Sequence, residues 1–209
     1  MKHILLHCLL LGVLAVLFSG TGETTDTLMP DIGLPGLSDS DEIPDWVVRW
    51  ELARCLAILE RYDEAILDYR LLLKEKPELQ KARIEMAQAL LWSNRRDEAG
   101  QALEHIETEH LDLEDGVILA DIYRILHEYE LARLLYRAAL EATPGDHETR
   151  LKLAEMLSWE ENYEESLGEY RIILEALPDD IQIRRKYAMV LIWSGNHAKA
   201  VPELRKTLK

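Results

Sequence analysis

His105 and His110 gather with two carboxylates in the string His105-Ile106-Glu107-Thr108-Glu109-His110. Imidazoles that share a metal from one helix face stand three or four residues apart. Five residues separate this pair, and the glutamates do not fall in a zinc-protease pattern, so the string predicts surface or turn residues. Asp112-Leu113-Glu114-Asp115-Gly116 lacks the alternating oxygen ligands and closing glutamate of a calcium loop. Pro144-Gly145-Asp146-His147-Glu148 is a turn in which Asp146, like Asp180 later, can cap the helix that follows. There is no phosphate-cradling glycine loop and no dinucleotide fingerprint. The residues predict no enzyme, no metal and no cofactor.

Composition narrows the remaining classes. The chain has 209 residues, 24 Lys plus Arg against 39 Asp plus Glu, and a formal charge of -15. Such a field opposes approach to a phosphate backbone, so a nucleic-acid partner is not expected. At 48% apolar and 30% charged residues the chain can bury a core.

The first residues read as an export signal. Met1-Lys2-His3 precedes an apolar run from Ile4 to Phe18, and Ser19-Gly20-Thr21-Gly22 supplies small residues for cleavage after Gly22 or Thr21. The run is shorter than the roughly 17–25 residues of a spanning helix, so an uncleaved membrane anchor is the minor alternative. Residues 1–22 are therefore expected as a signal peptide and 23–45 as a flexible acidic linker containing Ser38-Asp39-Ser40-Asp41-Glu42. Periplasm is the expected compartment. Only Cys55 remains after cleavage, which excludes an internal disulfide and suggests a small buried residue of the first helix.

Behind the linker the chain repeats. Ala53, Ala87, Ala120, Ala154 and Ala188 are separated by 34, 33, 34 and 34 residues. Twelve residues after each come Ala65, Ala99, Ala132, Ser166 and Ala200, and four further on Tyr69, Leu103, Tyr136, Tyr170 and Leu204. Pro77, Pro144 and Pro178 keep the same phase; Leu111 stands where unit two would have its proline, and only a locally altered turn is expected there. Each unit reads as two amphipathic helices, for instance Val47 to Leu59 and Asp63 to Lys74. Leu52, Cys55, Leu56 and Leu59 recur at helical spacing, and Leu71, Leu72 and Leu73 read as packing material. Alanine lets backbones approach where helices cross, tyrosine fills the wider gap beside it, and proline stops the second helix.

These residues resemble the tetratricopeptide repeat (TPR) family over 46–209, in five consecutive units beginning at Trp46, Gln80, Leu113, His147 and Ile181. The resemblance implies an all-α, right-handed solenoid of five helix-turn-helix units, with a groove lined by repeat positions 2, 5, 9, 12 and 13. Carried over, it implies the groove residues Trp50, Arg54, Lys81, Gln88, Trp92, Glu114, Asp121, Arg124, Glu148, Glu155, Trp159, Arg185 and Trp193. Val47 and Ile84 fall at groove positions too. Position 13 holds Ile58, Trp92, Ile125, Trp159 and Trp193, and two readings of its rings stay open: wedges in the core, or a partly exposed ladder for a ligand. Glu114, Asp121, Glu148 and Glu155 against Arg124 imply a modest acidic zone. The carboxylate clamp known in the family needs Lys at position 5 and Asn at position 9, and neither occurs there.

A protein-interaction scaffold in the bacterial envelope is the expectation, binding a peptide or protein segment in the groove or at the solenoid end. The strings Leu91-Trp92-Ser93, Leu157-Ser158-Trp159 and Ile192-Trp193-Ser194 also resemble periplasmic TPR modules of polysaccharide secretion, which makes a polysaccharide partner the alternative. Val201, Leu204 and Leu208 recur on one side of the last helix, with no capping helix after them. They form a candidate contact face, and a homodimer through it is the further partner expectation.

Overall fold

The computed structural model describes residues 42–208. The predicted signal peptide, nearly all of the linker, and Lys209 lie outside them. The described residues form ten helices and no strand, all within the unit Ile43–Lys209. In chain order they are α1 (Asp45–Ile58), α2 (Tyr62–Glu75), α3 (Gln80–Trp92), α4 (Arg96–Leu103), α5 (Leu113–Leu126), α6 (Tyr129–Ala142), α7 (His147–Trp159), α8 (Tyr163–Ala176), α9 (Ile181–Trp193) and α10 (His197–Arg205). They pair as five helix-turn-helix units of a TPR-type α-solenoid. Among the described residues no helix is long and apolar enough to cross a membrane.

The repeat phase read from the alanines is the packing phase. Ala53, Ala87, Ala120, Ala154 and Ala188 are fully buried, as are Ala65, Ala99, Ala132 and Ser166. Tyr69, Tyr136 and Tyr170 are buried beside them. Each first helix ends the same way. Glu60, Asn94, His127, Glu161 and Gly195 take positive φ of 59°, 63°, 67°, 61° and 76°. The next amide then reaches back to a carbonyl inside the helix: Arg61 to Leu56, Arg95 to Leu90, Glu128 to Tyr123, Asn162 to Leu157 and Asn196 to Leu191, at 2.7–2.9 Å. This closure holds the position-13 residue at the lip of every turn.

Two starts were foreseen in detail. Asp146 accepts from the Glu148 and Thr149 amides at 3.1 Å, and Asp180 from Gln182 and Ile183 at 2.9 Å, capping α7 and α9.

Three expectations need correction. Unit two has more than an altered turn: α4 is cut to 8 residues where α2, α6 and α8 each have 14. Without the stopping proline and with one residue fewer, the chain leaves α4 early and crosses 104–112 as two turns joined by irregular backbone. Cys55 is exposed rather than buried. It lies on the side of α1 that, in later units, faces the preceding unit. For the same reason Leu52 and Leu59 are exposed, while Leu56 is buried. In α2, Leu72 is core and Leu73 packs against it, but Leu71 points outward.

Candidate functional site

Position 13 lies at or next to the last residue of each first helix, where the chain leaves the packed layer. All five of its side chains reach solvent: Ile58, Trp92, Ile125, Trp159 and Trp193 are between 38% and 64% exposed. The three tryptophan rings are half in solvent, and Trp92 and Trp159 also pack on the preceding unit, so the side chains share in both the wedge and the ladder. They make one rung per unit along the edge formed by the turns. Two rings are held from one side. Tyr62 packs against Trp92 with ring centroids 5.7 Å apart, and the Arg124 guanidinium lies 5.4 Å from the Trp159 centroid.

Beside the ladder, groove charges are tied across unit boundaries. Arg54 meets Glu85 at 3.4 Å, Asp121 meets Lys152 at 2.8 Å, and Glu155 pairs with Lys186. Each pair joins position 9 of one unit to position 6 of the next, and the first has its signs reversed relative to the other two. Asp121 also accepts from the Tyr136 hydroxyl at 2.6 Å and from Arg124 at 3.3 Å, and Arg124 Nε reaches the same hydroxyl at 3.2 Å. Burial first, and then the Asp121 charge, raise the Tyr136 phenol well above its ordinary value, so it serves as a neutral donor. Glu148 stands 3.6 Å from Lys152, and Lys81 bonds Asp115 at 3.0 Å. The acidic zone expected from Glu114, Asp121, Glu148 and Glu155 is thus largely neutralised, with Glu114 left exposed outside these pairs.

At the N-terminal end of the groove, Glu85 collects three donors. The Trp50 indole N–H reaches it at 2.6 Å, the Tyr69 hydroxyl at 3.2 Å and Arg54 at 3.4 Å. Burial raises the Glu85 carboxyl above its ordinary value, against the lowering effect of Trp50, Arg54, Tyr69 and Lys81.

Sequence reasoning brought Trp50, Arg54, Lys81, Asp121, Arg124, Glu148 and Glu155 into this region and missed Glu85, Lys152 and Lys186. A signal was present: each missed residue stands 31 positions after an opposite charge at position 9. Gln88 is half-buried in α3. Arg185 does not face this network; its guanidinium donates to the Thr207 carbonyl at 3.1 Å and steadies the end of α10. Val47 and Ile84, at groove positions in the family frame, are buried in the core. His105 and His110 line a separate recess of about 460 Å³ with Arg83, Glu78 and Glu107. Among the described residues no group of three or more His, Cys, Asp or Glu side chains is arranged to hold a metal.

The fold is a TPR-like α-solenoid, with the rung residues along its turns and the paired charges beside them. The same architecture recurs in solved structures. The MamA protein superposes with a TM-score of 0.67 at 15% identity, over 78% of this chain and 90% of that one. A further MamA structure gives 0.66 at 20% identity, over 78% and 94%. YrrB, described as a TPR protein with an unusual peptide-binding site, gives 0.66 at 18% identity, over 78% and 84%. No family model matches the chain, and no curated protein matches it.

Proposed function

We propose that the protein is an interaction scaffold of the bacterial envelope that holds an extended segment of a partner protein along the position-13 ladder. The observation that carries this reading is the exposure of all five rungs beside fully buried position-8 alanines. Large apolar side chains left in water at a fixed period gain about 25 cal/mol per Å² when a partner covers them. Packed helices lie roughly 8–10 Å apart, and an extended chain advances about 3.1–3.4 Å per residue. Apolar residues repeated along an extended segment would meet successive rungs, one per unit. YrrB's description as a peptide-binding TPR protein supports the class of ligand.

The polysaccharide alternative asks for free ring faces and free carboxylates. Trp92 and Trp159 each have one face occupied, and Asp121 and Glu155 are already paired with lysines. Peptide is the better fit. The envelope location rests on the Ile4–Phe18 run and the small residues after it; N-terminal sequencing of the exported product would check it.

The binding test uses tryptophan fluorescence, since three of the five indoles are rungs. A synthetic peptide with repeated leucines should shift the emission saturably, and the Trp92→Ala, Trp159→Ala double variant should lose that response. A response to a cationic amino-sugar polymer with none to peptide would reject the peptide reading.

A further inference from the structure

In every unit after the first, positions 3, 7 and 10 of the first helix turn toward the preceding unit. Ala82, Met86 and Ala89 are buried there, as are Asp115, Leu119 and Ile122, and Thr149, Leu153 and Met156; in α9, Ile183 and Val190 are buried and Tyr187 is half-buried. Unit one carries the same stripe, and among the described residues nothing covers it. Val48 is 55% exposed, Leu52 is 47%, Cys55 is exposed, and Leu59, one helical turn on, is 65% exposed. At the other end, positions 21 and 28 of α10 and its following turn present Val201 at 47% and Leu208 at 73% exposure, beside half-buried Leu204. In unit one the position-21 residue is Ile66, and it is buried.

The charges at the two ends match by the same rule. Two internal junctions carry an ion pair from position 25 of one unit to position 19 of the next: Arg70 to Glu98 at 2.6 Å and Arg137 to Glu165 at 2.7 Å. Position 25 of the last unit is Arg205, which is exposed, and position 19 of the first is Glu64, also exposed. Glu64 already accepts from Arg61 at 2.6 Å, just as Glu98 accepts from Arg95 while bonding Arg70. At the second of these junctions position 21 also meets position 14, as Arg133 to Glu160 at 2.8 Å. The corresponding end residues are Val201 and Leu59, an apolar pair in place of an ionic one.

We propose that a second copy of this chain docks its α10 face on the α1–α2 face of the first, repeating the internal unit junction between molecules. Leu59 then meets Val201, Arg205 meets Glu64, and the stripe Val48, Leu52, Cys55 is covered as Ala82, Met86 and Ala89 are covered inside the solenoid. The two faces differ, so the contact is head-to-tail and leaves a free face at each end. It builds an open stack rather than a closed pair.

Light scattering and sedimentation of the full chain over a concentration series test this, with helix content checked for every variant. The parent should gain mass with concentration, past the dimer. Leu52→Glu, which spoils the head, and Val201→Glu, which spoils the tail, should each be monomeric alone. Mixed in equal amounts they should form a one-to-one dimer and nothing larger, because one intact head and one intact tail remain. Arg205→Glu should weaken association, and adding Glu64→Arg to it should restore association, a rescue that loss of folding would not show. A dimer that survives in Leu52→Glu alone would mean a symmetric tail-to-tail contact and overturn the proposal. So would a parent that is monomeric throughout; protection of Cys55 from alkylation in that monomer would then point to the chain's own N-terminal residues as the cover.

Discussion

The indole N–H of Trp50 donates to Glu85 Oε2 at 2.6 Å, joining α1 to α3 across 35 residues of sequence. Tyr69 and Arg54 converge on the same carboxylate, so one acidic side chain ties together both helices of unit one and the first helix of unit two. Further along, Asp121 does the same for Arg124, Tyr136 and Lys152. The groove is stitched by carboxylates that each serve several donors. A half-buried donor left without its acceptor costs more than the bond itself contributes, which makes these nodes sensitive to truncation.

Glu85→Ala should destabilise the domain by about 1–3 kcal/mol, because it strands the Trp50 N–H and the Tyr69 hydroxyl. Glu85→Gln keeps an acceptor oxygen and should cost less than half as much. The folded state raises the Glu85 carboxyl through burial, so it binds the proton more readily than the unfolded chain does. This group's contribution to stability therefore falls as pH rises from the ordinary carboxylate value through the folded one, and the Gln variant should lose that slope. Urea midpoints across pH for parent and both variants check this.

The repeat was legible because it rests on volume. Small residues stand fully buried at Ala53, Ala87, Ala120, Ala154, Ala188 and Ser166, and small residues at a fixed period can be counted without knowing what they touch. The ladder was half legible. The spacing of Ile58, Trp92, Ile125, Trp159 and Trp193 gave their shared position, but whether a ring faces core or water depends on the turn that follows. The positive φ two residues later decides that, and at Glu60, His127 and Glu161 no glycine or asparagine marks it. The family frame assigns groove positions within one unit, whereas Glu85, Lys152 and Lys186 pair with position 9 of the preceding unit, which a frame of single units does not mark. Cys55 is the opposite case: its position is buried in an interior unit, and unit one is at the end.

Asp146 gives a second acid-sensitive point. Burial alone would raise its carboxyl. Hydrogen bonds from the Thr149 side chain and from the Thr149 and Glu148 amides outweigh burial and hold it below the ordinary value. With the folded value depressed, its stabilisation is present above the unfolded carboxylate value and is lost as pH falls through the folded one. Asp146→Ala should cost about 1 kcal/mol near neutrality through loss of the α7 cap. Asp146→Asn should keep the cap and remove the acid dependence. Thermal denaturation at neutral and acidic pH separates the two variants.

The turns predict a stabilising change. Glu60 and Glu161 adopt left-handed backbone at φ of 59° and 61°, where unit five has Gly195 at 76°. A side chain costs roughly 1–2 kcal/mol in that region, and glycine removes the cost while giving back part of it as unfolded-state entropy. Glu161→Gly should therefore stabilise the domain by about 0.5–1 kcal/mol, and Glu60→Gly should add a similar amount. A lower denaturation midpoint for either would mean that the glutamate side chain contributes something its exposed position does not suggest.

Ala154 is the sharpest test of the register. It is fully buried where α7 crosses α8, its carbonyl accepts from the Ser166 hydroxyl at 2.7 Å, and it belongs to the cluster with Tyr170, Ile173, Ile183 and Val190. Ala154→Leu adds three carbons at a point where two backbones approach, beside Tyr170 and Ile173, which are themselves buried. The expected cost is about 1–3 kcal/mol from overpacking. Leu134→Ala, on the exposed side of α6, removes the same three carbons from a side chain that is 65% in solvent and should stay within about 0.5 kcal/mol of the parent. The pair of variants makes opposite changes in volume, so the contrast reads burial and not chemistry. If Ala154→Leu left the urea midpoint where the parent has it, α7 and α8 could not be crossing at position 8, and the phase of all five units would have to shift with it.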